Sequence, residues 1–139
     1  MGVLQDFKTI LTTAGVGSTG ATSTGWRIVY REFQPVIAGV GAQQIALVAS
    51  GGFPEDGKPP IERPTMQVLI RGTTNASSGL EVKVDAVIDA LNVKNGSIGF
   101  GNWYYVDIRV QGDKLWLGRD DDGYPVYAVN FNTVRSRTS

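Results

Sequence analysis

The sequence contains neither cysteine nor histidine among its 139 residues. Without cysteine, the chain cannot form disulfides, use a thiol nucleophile, or hold zinc or iron–sulfur clusters through thiolates. Without histidine, it lacks the side chain that titrates nearest neutral pH, which is also the commonest metal ligand. Ser-His-Asp and Cys-His catalysis is therefore excluded within this chain. An enzyme would have to work with Asp, Glu, Lys, Ser or Tyr.

Net charge and long apolar runs are also missing. Only 19% of the residues are charged, and 13 basic residues balance 13 acidic ones, so we expect no sequence-specific nucleic-acid binding and no anionic membrane partner. No apolar run approaches the ~18 residues of a membrane span, and the polar N-terminal segment does not resemble a secretory signal. Hydrophobic residues make up 42% of the chain, enough for the core of a single domain over residues 1–139.

Two segments have the periodicity of amphipathic helices. The first covers residues 3–13, and its apolar face consists of Leu4, Phe7, Ile10, Leu11 and Ala14. Asp6 and Lys8 fall off that face and are expected to meet solvent. The second begins at a capping-box pair, Ser78 and Glu81. Its apolar stripe consists of Leu80, Val84, Val87, Ile88 and Leu91, a stripe that needs a sheet to lie on.

Six segments rich in β-branched and aromatic residues are expected to be strands. They cover residues 26–33, 44–49, 65–72, 102–110, 114–119 and 124–133. Turns are predicted at residues 111–113 and 120–123, irregular flexible loops at about 15–25 and 51–64, and a solvated tail at 134–139. The order is helix, three strands, helix, three strands. It predicts a small α+β domain with a mostly antiparallel sheet packed with two helices.

The sequence DDDG at residues 120–123 raises the question of a metal or carboxylate site. If Gly123 took position 6 of a calcium loop, Gly118 and Val129 would take positions 1 and 12, and neither supplies a side-chain oxygen. Asp-Gly between alternating apolar runs instead predicts a hairpin turn. GVGSTG at residues 15–20 follows a helix and precedes a strand, the reverse of a dinucleotide-binding unit. A carboxylate-based metal-dependent enzyme using Asp107, Asp120 or Asp122 stays as a distant alternative.

Several segments together resemble the small tail-terminator proteins of long-tailed bacteriophages, often labelled minor capsid or minor tail proteins. The matching pieces are GGFP at 51–54, PTMQVLIRG at 64–72, VIDAL at 87–91 and LGRDDDGYPVYAVNF at 117–131. The resemblance implies a virion structural protein that forms a hexameric ring at the head-proximal end of the tail tube. Such a ring stops tube polymerisation and docks to the head connector, it needs no cofactor, and DNA passes through it.

Ring subunits meet through two different patches, so this interpretation asks which residues make contacts. The candidates are Phe53, Pro54, Lys58, Arg71, Tyr104, Arg119, Asp120, Asp121 and Asp122. Arg71 and Arg119 could pair with these acids across subunits, or form ion pairs within one subunit. The expected partners are further copies of the chain, the tail tube protein and the connector or stopper protein. Another head–tail joining protein, such as a stopper, tail-completion or tube subunit, is the alternative.

Overall fold

The computed structural model describes residues 3–19, 25–37, 41–53, 61–73, 77–92, 98–100 and 103–137. Two helices and six strands are present in them. The helices are α1 (Val3–Thr13) and α2 (Ser77–Leu91). The strands are β1 (Arg27–Tyr30), β2 (Gln44–Phe53), β3 (Ile61–Arg71), β4 (Ile98–Phe100), β5 (Trp103–Arg119) and β6 (Pro125–Arg137). Neither described helix is long and apolar enough to span a bilayer.

The strands form one sheet in the order β1-β2-β3-β6-β5-β4. Only β1 and β2 pair in parallel, and the other neighbours are antiparallel. The prediction of an α+β domain with a mostly antiparallel sheet and two helices is therefore confirmed. The parallel pair follows from the 31–43 connection, which is long enough to return the chain to the same end of the sheet.

Both helices contribute to one hydrophobic core with the sheet. The predicted stripe of α2 is confirmed, because Leu80, Val84, Val87 and Leu91 are buried. From α1, Phe7 lies edge-to-face against Tyr105 and Phe131, with ring centroids 6.3 Å and 6.2 Å away. Each such aromatic pair adds about 0.5–1.5 kcal/mol beyond its area burial. Ala14 lies beyond the end of α1 and is exposed, although the pattern placed it on the apolar face.

The predicted turn at residues 111–113 is wrong, because β5 continues through it. Gln111 pairs with Asn130 and Leu115 pairs with Ala128, so β5 carries two extra residues at this point. Gly112 has a φ of 75°, a conformation that glycine adopts without steric cost. The same glycine chemistry serves a turn or a bulge, and here the chain bulges and goes on. β5 therefore reaches 17 residues.

Strand pairing also extends into segments that were expected to be irregular. β2 continues to Phe53 and β3 starts at Ile61, with Phe53 opposite Arg63. The irregular loop predicted at 51–64 is thus a hairpin, and its residues 54–60 lie outside the described residues. A register shift between Ala49 and Gly52 accompanies the pairing of Gly52 with Pro64, which suits a residue that has no backbone donor.

The predicted tail and first loop are more ordered than expected. β6 runs to Arg137, because Arg135 pairs with Tyr105 and Ser136 pairs with Tyr104. In the predicted 15–25 loop, Val16 is buried and Ser18 forms a parallel bridge with Arg27, while residues 20–24 lie outside the described residues. β1 is shorter than predicted, since Arg31 has a φ of 74°, which leaves the extended conformation.

Asp6 corrects the prediction for α1, because its side chain is only 1% exposed. The Tyr105 hydroxyl donates a 2.7 Å hydrogen bond to Asp6 Oδ2, and Arg135 Nη1 lies 3.9 Å from the same oxygen. Asp6 Oδ1 is buried without a hydrogen-bond partner among the described residues. Burial raises the pKa of Asp6 above its ordinary value of 3.8, while Tyr105 and Arg135 oppose the rise. Burial also raises the pKa of Tyr105, which keeps its hydroxyl a donor.

Asp6 is expected to make stability depend on pH in a direction opposite to that of most carboxylates. Because its folded-state pKa lies above 3.8, the folded state binds this proton more tightly than the unfolded state. The resulting stabilisation is fully present below pH 3.8 and is lost as the pH rises through the folded-state pKa. Urea unfolding of wild type and Asp6→Asn at several pH values between about 4 and 8 measures this effect. The stability of wild type relative to Asp6→Asn should fall as the pH rises; a rise would show that Tyr105 and Arg135 outweigh burial.

Candidate interaction site

Residues 120–123 form the tight loop that joins β5 to β6, as the sequence predicted. Gly123 N donates to the carbonyl of Asp120 at 2.9 Å, and Gly123 has a φ of 84°. The Asp120 carboxylate organises the loop, since its Oδ1 accepts from the backbone N–H of Asp122 at 3.0 Å and of Tyr124 at 2.9 Å. A carboxylate used in this way is a turn-forming group, which confirms the structural interpretation of the DDDG motif.

Arg71 supports this loop from inside the subunit. Its side chain is 5% exposed, and Nη1 lies 3.7 Å from Asp120 Oδ2. Nε donates to the carbonyl of Ala42 at 2.9 Å, and Nη2 donates to the carbonyl of Gln34 at 3.0 Å. The guanidinium also lies over the rings of Phe33 and Tyr124, at 4.8 Å and 5.4 Å from their centroids. Arg71 was predicted as a candidate for subunit contacts, and this stays a prediction; within the subunit its guanidinium already has these partners.

The remaining charges of the loop point to solvent. Asp121, Asp122 and Arg119 are exposed, and Arg119 Nη1 donates to the carbonyl of Gly123 at 2.8 Å. The Arg71–Asp120 pair thus fixes the backbone, and the two following carboxylates stand free of it. Cation–π and ion-pair contacts to a buried guanidinium hold such a loop in one conformation. We call residues 120–123 the acidic tip.

A run of exposed hydrophobic residues precedes the acidic tip in β5. Leu115, Trp116 and Leu117 are 49%, 51% and 56% exposed. Trp116 lies edge-to-face against Tyr127, at 5.2 Å between centroids, so the indole is held in place although half of it is exposed. We call residues 115–117 the apolar ridge. Sequence reasoning missed it, although three consecutive large apolar residues in a strand require that both faces of the strand carry apolar surface.

Polar contacts with α2 fix the base of the apolar ridge. The Tyr127 hydroxyl donates to Glu81 Oε1 at 2.6 Å, and Lys114 Nζ donates to Asp85 Oδ1 at 3.0 Å. Both acids belong to the exposed face of α2. Exposed pairs of this kind contribute little to stability, so their effect is to orient side chains more than to stabilise the fold.

The other predicted contact residues do not join the acidic tip. Phe53 ends β2, and Tyr104 pairs with Ser136 near the start of β5. Since Ser136 is opposite Ile61, these two positions lie at the opposite end of the sheet from residues 119–123. Only the backbone of Phe53 and Tyr104 is described, and Pro54 and Lys58 lie outside the described residues. The predicted contact residues described by the structure therefore fall into two separate groups, one at the acidic tip and one at the opposite end of the sheet.

The carboxylates of the alternative enzyme interpretation do not converge. Asp107 forms an ion pair with Arg109, at 2.6 Å between Oδ2 and Nε, in the middle of β5. On β6, Val134 lies opposite Asp107 and Pro125 lies opposite Arg119, nine residues or roughly 30 Å apart at ~3.3 Å per residue. Over the parts of the chain that the structure describes, no three Asp or Glu side chains are grouped as a metal ion would need. Asp107 therefore does not share a site with Asp120 or Asp122.

The described residues combine an ordered acidic tip with an exposed apolar ridge, which are features of a surface that contacts another protein. The comparison with known protein families agrees. Residues 10–137 match the family described as "Bacteriophage tail terminator protein", and the chain belongs to this family. It is therefore a structural component of a phage tail.

Comparisons with individual proteins add the fold alone. One solved structure matches with a TM-score of 0.53 over 98% of this chain and 96% of that chain, at 17% sequence identity. The agreement over nearly the whole length of both chains supports a complete shared architecture. No curated protein matches the sequence.

Proposed function

We propose that this protein is the tail terminator itself. Copies of it form a ring, with six subunits, at the head-proximal end of the tail tube. The ring ends polymerisation of the tube protein and offers a docking surface to the head connector or stopper protein, while DNA passes through its centre. The protein is made in the cytoplasm of the bacterial host and works in the virion. The family match over residues 10–137 carries this proposal.

The physical features of the chain support a role in assembly and not in catalysis. The sequence offers no histidine or cysteine for chemistry. The Asp120 carboxylate is committed to backbone N–H groups and Arg71. The apolar ridge and the acidic tip remain exposed. Together they have the properties of a recognition surface, because apolar side chains can be buried against a partner and charges can select that partner.

Electron microscopy of phage particles made without this protein tests the proposal. We expect tail tubes that grow past their normal length and fail to join filled heads. Supplying the wild-type protein in the host should restore tails of normal length. Normal-length tails joined to heads in its absence would overturn the proposal.

The same experiment separates the neighbouring roles. A tube subunit would leave heads with no tail tube at all. A stopper or tail-completion protein would leave tails of normal length that remain unattached to heads. Either result would keep the protein in the phage tail and reject termination.

A further inference from the structure

The sheet has two edges with unpaired strand, one at each side. β1 forms one edge. At the other edge, β4 pairs only with Trp103 to Tyr105 of β5. In the described part of the chain, no strand pairs with the outer side of residues 107–118, although the Val110 backbone N–H donates to Asn92 Oδ1 at 3.1 Å just after the end of α2. Unpaired strand of this length is a site for association unless something covers it.

These two edges lie at the same height of the sheet. Two rows of paired residues connect them. One runs through Arg27, Gln44, Arg71, Val126 and Gly118, and the other through Val29, Ala46, Leu69, Ala128 and Leu115. β1 is parallel to β2, and three antiparallel pairings then lead to β5, so β1 and β5 run in opposite directions. A second copy placed alongside in the same orientation would bring its β1 antiparallel to the free part of β5.

Exposed hydrophobic side chains lie on both edge strands, with Tyr30 on β1 and Leu115, Trp116 and Leu117 on β5. Seven large hydrophobic residues are exposed in the described part of the chain. Three of them, Tyr30, Val36 and Ile37, belong to β1 and the connection after it. Three more form the apolar ridge of β5, and Val82 of α2 is the seventh. Exposed apolar residues grouped in this way mark an interaction surface.

The charges at the two edges have opposite sign. Residues 26–37, which are β1 and the connection after it, carry two basic residues, Arg27 and Arg31, and one acidic residue, Glu32, a net charge of +1. Residues 113–122 carry four acidic residues against two basic ones, a net charge of −2. Opposite charges around an apolar contact select one partner and one orientation. A second copy of the chain supplies the matching apolar and basic surface for the β5 edge.

We propose that the β5 edge, with the apolar ridge and acidic tip, binds the β1 edge of the next copy in the ring. This inference rests on the ring proposed above and names its contact. Two different patches meet, so the interface is heterologous and repeats around a closed ring. The outer side of β1 is unpaired only in part, because Ser18 exchanges backbone hydrogen bonds with Trp26, just before β1, and with Ile28 in β1. Side chains, and not a continuous backbone ladder, therefore make most of the contact.

Cross-linking in assembled particles tests the contact. Because the chain has no native cysteine, only the introduced cysteines of this protein can react. Tyr30→Cys and Leu115→Cys are combined in one chain, supplied to phage lacking the gene, and treated with a short bismaleimide. We expect a ladder of cross-linked species on a denaturing gel. The control combines Tyr30→Cys with Val82→Cys, because Val82 is 71% exposed but lies on α2. A ladder absent from the first variant, or equal in both, would overturn the proposal.

A second variant protects the test against a misfolded double mutant. Leu115→Glu places a charge on the apolar ridge at a position that is already half exposed, so the thermal midpoint should stay that of wild type. Its content in purified tails should fall at least about tenfold, whereas Val82→Glu should be incorporated normally. Normal incorporation of Leu115→Glu would reject the contact.

The two proposals fail in different ways. Overlong tails in the absence of the protein, together with no cross-linked ladder, would keep the terminator and reject the edge contact. Normal tails in its absence would reject the ring and the contact with it.

Discussion

Arg71→Met is expected to lower the free energy of unfolding by about 2–4 kcal/mol. The substitution keeps most of the side-chain volume but removes every donor. The carbonyls of Ala42 and Gln34 lose their hydrogen bonds, and the Asp120 carboxylate loses its cation. Burial lowers the pKa of Arg71 and Asp120 opposes this, so the charge already carries a desolvation cost that its partners offset. Urea unfolding followed by far-UV circular dichroism measures the loss.

Arg119→Met is the matched control for Arg71→Met. Arg119 also contacts the acidic tip, through the carbonyl of Gly123, but it is exposed. Its loss should change stability by no more than about 0.5–1 kcal/mol. Asp120→Asn in the Arg71→Met background should cost less than Asp120→Asn alone, since the two side chains are in contact. Equal losses for Arg71→Met and Arg119→Met would contradict the role given to Arg71.

Phe7→Ala is expected to be the most destabilising single change, at about 3–5 kcal/mol. Phe7 is completely buried and contacts Tyr105 and Phe131 of two neighbouring strands. Its removal leaves a cavity between α1 and the sheet, next to the Asp6 carboxylate. Thermal and urea unfolding of the variant measure the loss. Gln5→Ala on the exposed side of α1 is the control and should change stability by less than about 0.5 kcal/mol.

The Phe7→Ala variant also tests whether α1 is an integral part of the hydrophobic core. If Phe7→Ala lowered the free energy of unfolding by less than about 1 kcal/mol, α1 would contribute little to stability. The sheet and α2 alone would then form the stable part of the fold. The variant should in addition expose more core surface to solvent locally, which hydrogen exchange of the α1 amides would detect.

Local sequence patterns predicted the two helices correctly, but the prediction that Asp6 is exposed to solvent was wrong. The stripe of α2 follows from spacing alone, because a sheet can cover it whatever the sheet's order. Asp6 also lies off the apolar face of α1 by spacing, and it was therefore expected in solvent. What buries it is Tyr105, 99 residues away. No local pattern carries that contact, because it depends on which strand passes under the helix.

The strands show a similar division between local chemistry and pairing. Gly112 and Gly123 both adopt positive φ, yet one lies in a bulge of a continuing strand and the other in a true turn. The difference lies in what β6 offers opposite each glycine, which sequence alone does not specify. Likewise, residues 134–137 are extended because residues 103–105 pair with them. The sequence left open whether Arg71 pairs with the acids at 120–122 within a subunit or across subunits; the pair with Asp120 within the subunit depends on burial of the guanidinium by Phe33, Gln34 and Ala42 from a distant loop.

The contact of Asp6 with Tyr105 and Arg135 can form only late in synthesis. Arg135 leaves the ribosome 129 residues after Asp6, which at ~5–20 residues per second is roughly 6–26 s later. Until then α1 can pack only on the earlier elements, among them β2 and α2, and β5 lacks its partner β6. Folding dominated by such distant contacts is slow. The free edge of β5 therefore takes its final place in the sheet only after residues 125–137 of β6 have been made.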